Sequence, residues 1–354
     1  MFSVGSILKV CEVPLNRKNI PFVHECHARA SVAGRAYSGD LAGEDEAAHY
    51  VTGLMVRTYL VSGQWLQPMQ FARAYYEAYP KVALGHWPPA FYLIQALWTL
   101  IFSAWRESIL LLMAVLAASC ATLVQRLFSP LIGSVAATAA GLLFLGVPIV
   151  RYLSSTVMAE LLVLAWTLLA LTAYAKYLET ERARDSLLFG VFAAMAILTK
   201  VNGLALALVP PISILLARKT RLLRRFSFWA PLALVAVSCT PWYLFTLQTA
   251  KEGWQGSTSP KFLLATVTLF NLGVIQQQVG TIILALAVLG CYAAVVRFVV
   301  MRRATEPRWA VAAATLVATL VFHSLIAPVR DPRHLLPAIL MTIFLRPKGS
   351  CGIR

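Results

Sequence analysis

The chain has 354 residues, of which 59% are hydrophobic and only 13% charged, and a mean hydropathy of +0.71; no soluble core of this size is so apolar, so it reads as a polytopic membrane protein. Its net charge of +16 does not imply a nucleic-acid partner, because the basic residues gather in short clusters between apolar runs, as cytoplasmic loops do. The six cysteines are scattered without paired spacing, which argues against a disulfide framework or a cysteine zinc site.

Residues 1–36 hold no apolar run approaching the roughly 20 residues a span needs, and Met1 to Val10 lacks the charged start and cleavage site of a signal peptide. This segment is expected to be irregular, with the first span missing. The next stretch concentrates acid. Asp and Glu number 15 in the whole chain, yet four of them (Asp40, Glu44, Asp45 and Glu46) fall within seven positions. Clustered carboxylates repel one another, so they imply a cation, a metal or a proton to be moved, or else a solvated helix start. From Glu46 to Leu60 the pattern predicts a short amphipathic helix with Ala47, Tyr50, Leu54 and Tyr59 near one side. A polar, aromatic stretch from Gln64 to His86 follows, with Tyr75, Tyr76, Tyr79 and Lys81, a composition suited to the membrane-water boundary.

Apolar runs then recur near 88–104, 108–124, 130–150, 156–175, 186–199, 202–217, 228–247, 280–300, 309–329 and 334–345. The positive-inside rule puts the loop of Arg218, Lys219, Arg221, Arg224 and Arg225, and that of Arg297, Arg302, Arg303 and Arg308, in the cytoplasm. Counting spans from these loops leaves 248–279 outside, 176–185 inside, 151–160 outside and Arg106-Glu107 outside. The run 88–104 is short, starts on Pro88-Pro89 and carries Tyr92, Gln95 and Trp98, so it is expected to lie flat in the interface. Residues 37–107 thus form a first outer loop with the acidic motif and interfacial helices, 108–345 a transmembrane helical region, and 346–354 a polar tail. The last run stops short of a span, so both ends read as those of a fragment.

The order of motifs resembles the family 39 glycosyltransferases, which include the protein O-mannosyltransferases and the bacterial lipid A aminoarabinose transferases. The matching residues are Asp45-Glu46-Ala47-Ala48-His49-Tyr50, His86-Trp87-Pro88-Pro89-Ala90-Phe91-Tyr92, Val157-Met158-Ala159-Glu160, Leu198-Thr199-Lys200 and Arg333-His334-Leu335-Leu336-Pro337. The resemblance covers about 39–340 and implies an all-α, polytopic bundle of the GT-C fold. It differs in detail: Trp87 separates His86 from Pro88-Pro89, leaving His86 and Lys81 both as candidates for one cationic role, and the second acidic site is Glu160 rather than Asp.

By resemblance, the expected activity is transfer of a sugar from a polyprenyl-phosphate donor to an acceptor hydroxyl on the outer side of the cytoplasmic membrane, usually with inversion. Such chemistry takes one carboxylate to deprotonate the acceptor and cations to hold the departing lipid phosphate. Asp45 is the expected base, with Glu46 orienting it or holding an acceptor hydroxyl. Lys81, His86, Lys200, Arg330 and Arg333 lie on the predicted outer side, where cations are unexpected, and are the candidate phosphate partners. Asp45 and Glu160 could share a divalent metal, the one cofactor the residues suggest, or Glu160 could simply pair with Arg151. Membrane lipids are the other expected partner; the acceptor is not named by the sequence. A transporter or flippase of lipid-linked substrates is the competing class, although the internal repeats it would carry are not found, and an inactive remnant of the transferase is the third.

Overall fold

The computed structural model describes residues 41, 43–247, 260–326 and 331–344, and among these every regular element is helical. The segment 1–36, expected to be irregular, the polar tail 346–354, Asp40 and Arg330 lie outside the described residues. The acidic stretch opens α1 (Glu44–Ser62), which ends at Gly63 with a φ of 72°, a left-handed conformation that favours glycine. α2 (Pro68–Ala78) starts on a proline, whose fixed φ suits a first turn, and α3 (Ala90–Ile101) follows Pro88-Pro89. α1 and α3 approach closely because Gly53 has no side chain to meet Gln95, whose amide donates to Tyr50 O at 3.2 Å. At 12 residues, α3 is about 18 Å long and too short to cross a bilayer, as expected of 88–104.

Among the described residues four helices are long and apolar enough to span: α4 (Arg106–Ile132), α7 (Glu160–Thr180), α10 (Phe226–Phe245) and α13 (Pro307–Val321) with its π-helical extension Phe322–Ile326. The run 130–150, expected to cross as one span, is not one straight helix. Pro130 and Gly133, the latter at φ 83°, end α4, and Pro148 starts a new element, so α5 (Ser134–Gly146) and α6 (Pro148–Ser154) meet at 70°. α8 (Ala183–Thr199) returns along α7 and then breaks at Lys200, which is extended, into the 3-10 stretch Val201–Leu208 and α9 (Val209–Leu216).

The stretch 248–279, expected outside, contains α11 (Pro260–Val279), which leads into α12 (Thr281–Val299). Gly280 at φ 83° makes the turn between them. A short 3-10 turn, Pro332–Leu335, introduces α14 (Leu336–Phe344), whose side chains are buried against α13, with Phe344 stacked on Phe128 at 3.8 Å.

α7 is the axis of the bundle, packed against α4, α8 and α13, with Leu161, Leu164, Leu168, Leu171 and Tyr177 inaccessible. α10 is the opposite case: Phe226, Leu232, Val237 and Leu244 are exposed, as a lipid-facing span requires. The two ends of α7 differ in chemistry. Just past its last residue, Glu181 receives Lys219 at 3.2 Å, Arg225 at 3.1 Å and Arg221, drawing the basic loop against the 176–185 turn. Arg308 bonds Glu179 at 2.9 Å and Thr305 N donates to Leu216 O at 2.9 Å, so the loop before α13 joins the same end. Glu160, 21 residues and about 30 Å away, marks the other end.

Candidate active site

The first turns of α1 carry the site. Helical spacing puts Glu46, His49 and Gly53 on one stripe, and this stripe, not the Ala47, Tyr50, Leu54 and Tyr59 side expected from apolar periodicity, is the buried one. Glu46 Oε1 accepts from Arg106 Nη2 at 2.9 Å, Arg106 Nε at 3.2 Å and the backbone N of Val157 at 3.0 Å. One carboxylate oxygen thereby joins α1, the start of α4 and the turn before α7. Thr52 Oγ1 accepts from Ala83 N at 3.1 Å and donates to Ala48 O.

His49 is buried beneath Trp87, stacked at 4.2 Å, with Phe91 edge-on at 5.5 Å and its Nδ1 bonded to the Tyr92 hydroxyl at 2.8 Å. Burial pushes the imidazole down to about 4, outweighing the carboxylates of Glu160 and Asp45, so at neutral pH the ring is uncharged. Burial also pushes the Tyr92 hydroxyl well above its ordinary value.

Asp45 lies beside this stripe and is half-exposed, at 48%. Its Oδ2 meets Arg333 Nη2 at 3.1 Å. Arg333 is in turn forked onto Asp331, through Nε at 2.7 Å and Nη2 at 2.5 Å, and its backbone N donates to Asp331 Oδ1 at 2.9 Å. Burial works against the Asp331 carboxylate, but the Arg333 side-chain and backbone hydrogen bonds outweigh it and hold Asp331 below the usual carboxylate range.

Glu160 does not pair with Arg151, the alternative that charge alone allowed. Its Oε1 accepts from Lys200 Nζ at 2.5 Å, and both side chains are buried. The break after α8 turns Lys200 into the bundle, where the carboxylate that opens α7 meets it.

Two cavities share Arg333 as a wall. The outer one, ≈ 440 Å³ and open, is bounded by Asp45, Glu46, Tyr152, Met158, Asp331 and Arg333. The inner one, ≈ 20 Å³, holds Glu160, Lys200, Asn202, Thr319, His323 and His334. It has room for about one water and not for a sugar ring. Asp45 and Arg333 are therefore at the accessible site, and Glu160 with Lys200 behind it. Lys81 and His86 are exposed, His86 with its ring 5.8 Å from Trp87.

A metal shared by Asp45 and Glu160 does not fit these contacts. Each carboxylate already faces a cation, Arg333 or Lys200, and the two border different cavities. Among the described residues no group of three or more His, Cys, Asp or Glu side chains could hold an ion. The motifs passed over Arg106, which looked like a span-flanking cation, and Asp331, which stands two places before the Arg333 motif. A lone acid beside an arginine near the end of an apolar run was the only signal for the latter.

A family model, dolichyl-phosphate-mannose-protein mannosyltransferase, matches residues 86–245. No curated protein matches the chain. Among solved structures, ArnT from Cupriavidus metallidurans bound to undecaprenyl phosphate is similar at 16% identity and a TM-score of 0.58, covering 89% of this chain and 57% of that one. The same protein in the apo state gives 17% identity and a TM-score of 0.57, covering 86% of this chain and 54% of the other. The chain spans little more than half the length of those structures. The chain is thus a multi-pass helical membrane protein with the GT-C fold, and the resemblance to mannosyltransferase-like glycosyltransferases carried by its motifs is borne out.

Proposed function

We propose that the chain is a glycosyltransferase that moves a sugar from a polyprenyl-phosphate donor to an acceptor hydroxyl, on the outer side of the cytoplasmic membrane, with Asp45 as general base. The observation that carries this reading is the pairing of a half-exposed carboxylate with a guanidinium, Asp45 with Arg333, in the wall of an open cavity of ≈ 440 Å³. The undecaprenyl phosphate bound by the similar ArnT structure supports the lipid class of the donor.

In this reading the acceptor O–H proton passes to Asp45, the oxygen attacks the anomeric carbon, and the bond from that carbon to the phosphate oxygen breaks. The electron pair leaves with the lipid phosphate, whose growing negative charge is met by Arg333. Lys81, His86 and Arg330 are retained as further phosphate partners. Lys200 holds Glu160 in place, since its ammonium is already committed there.

Membranes containing the full chain, incubated with a panel of radiolabelled polyprenyl-phosphate sugars, test the proposal. Transfer from at least one donor is expected, and Asp45→Asn should lower it by at least about 100-fold with expression unchanged. No transfer from any donor would overturn the reading; transfer retained by Asp45→Asn would remove Asp45 as the base.

A further inference from the structure

The guanidinium of Arg333 has two edges, and they are used differently. The Nε/Nη2 edge is forked onto Asp331 Oδ2 at 2.7 and 2.5 Å. The Nη1/Nη2 edge faces the cavity: Nη2 also meets Asp45 at 3.1 Å, and Nη1 meets the thioether of Met158 at 3.9 Å. A thioether is a weak acceptor, so Nη1 presents hydrogen-bond capacity to the space that Met158 and Asp45 border. Arginine on an unbranched stem has many rotamers, and this one is fixed by a residue two positions away that also caps its own helical turn.

We infer that Asp331 is a positioning residue that grips one edge of Arg333 and thereby aims the other edge at an incoming phosphate. The inference rests on the proposed role of Arg333 as a phosphate partner. It has a chemical consequence. A phosphate oxygen that takes the Nη1/Nη2 edge replaces the Asp45 carboxylate on Nη2, so arrival of the donor frees the base it will work beside. The Asp331 fork is untouched by this exchange, because it uses the other edge. No covalent bond changes: one charge-assisted hydrogen bond to a carboxylate is exchanged for two to a phosphate.

Asp331 also accepts from the Arg333 backbone N, so a purely structural capping role must be separated from aiming. Asp331→Ser keeps a capping oxygen and removes the fork. The full chain in detergent is titrated with undecaprenyl monophosphate, for wild type, Asp331→Ser, Arg333→Ala and the double variant, with the thermal midpoint of each recorded. Asp331→Ser is expected to weaken binding about tenfold at an unchanged midpoint, and to change nothing further once Arg333 is alanine. In the transfer assay it should raise the donor KM more than it lowers kcat. An equal loss in both backgrounds, or wild-type affinity in Asp331→Ser, would overturn the role of Asp331 while leaving the transferase reading standing. Should Asp331→Ser fail to fold, Asp331→Asn, which keeps the cap and loses the charge, replaces it in the cycle with the same expected non-additivity. If the wild-type chain binds no lipid monophosphate, both the inference and the reading of Arg333 beneath it fall together.

Discussion

His49 shows how burial, rather than sequence neighbours, decides the charge state of a side chain. The carboxylates of Glu160 and Asp45 pull its pKa up and the cations of Lys200 and Arg333 push it down, yet enclosure by Trp87, Phe91 and Tyr92 dominates and keeps the ring neutral. The folded value near 4 lies below the unfolded value of 6.5, so between these pH values the unfolded chain binds the extra proton. Stability from this residue is therefore complete above about pH 6.5 and is lost as the pH falls toward 4, by roughly 2 kcal/mol at pH 5. His49→Gln keeps a neutral partner for the Tyr92 hydroxyl and removes the titration. Thermal unfolding of the detergent-solubilised protein should show a smaller drop between pH 7 and pH 5 for the variant than for wild type. Equal drops would mean that the ring is already charged or that it stays accessible in the folded state.

At the scale of elements, the site is held by buried ion pairs that cross between helices far apart in the chain. Glu46 and Arg106 are 60 positions apart, Glu46 and Val157 111, and Glu160 and Lys200 40. This is why the motifs found Asp45, Glu46, Glu160, Lys200 and Arg333 but not their pairing. Periodicity reads apolar faces, and α1 buries a polar stripe whose partners periodicity cannot see. The same limit explains 130–150, where hydropathy joined the end of α4 to α5 and α6, which Gly133 and Pro148 separate. The helical class, the short α3 and the spans at α4, α7, α10 and α13 were legible because a bilayer demands long apolar helices of any sequence that crosses it. The clamp at Glu46 makes a sharp prediction. Arg106→Met strands a buried carboxylate and should cost about 3–5 kcal/mol. Combining it with Glu46→Gln, which still accepts from Val157 N, should recover most of that loss. Denaturant unfolding of the two variants decides it: a double variant no more stable than Arg106→Met would show that the charge itself, and not its pairing, is what the fold requires.

The whole molecule is polarised along α7. At one end lie Asp45, Arg333 and the Glu160–Lys200 pair; at the other, Glu181 gathers Lys219, Arg221 and Arg225, with Arg308 on Glu179 beside it. Basic loops are retained in the cytoplasm during insertion, so the basic end sets the orientation and the cavity end is expected outside. The structure sharpens the span count made from charge alone, because it brings the loops at 176–185, 217–225 and 301–308 to a single end through direct contacts. Reporters for the two ends can be chosen without disturbing either. Gly43 borders the outer cavity, is exposed, and has nothing within 4 Å of the position a Cβ would take. Arg303 is exposed in the loop before α13. In a cysteine-free background, Gly43→Cys is expected to react with a membrane-impermeant maleimide in intact cells, and Arg303→Cys only after lysis. The opposite pattern would put Asp45 in the cytoplasm, where a donor sugar displayed on the outer leaflet cannot reach it, and the transferase reading would have to be rebuilt around a donor made and used on the inner face.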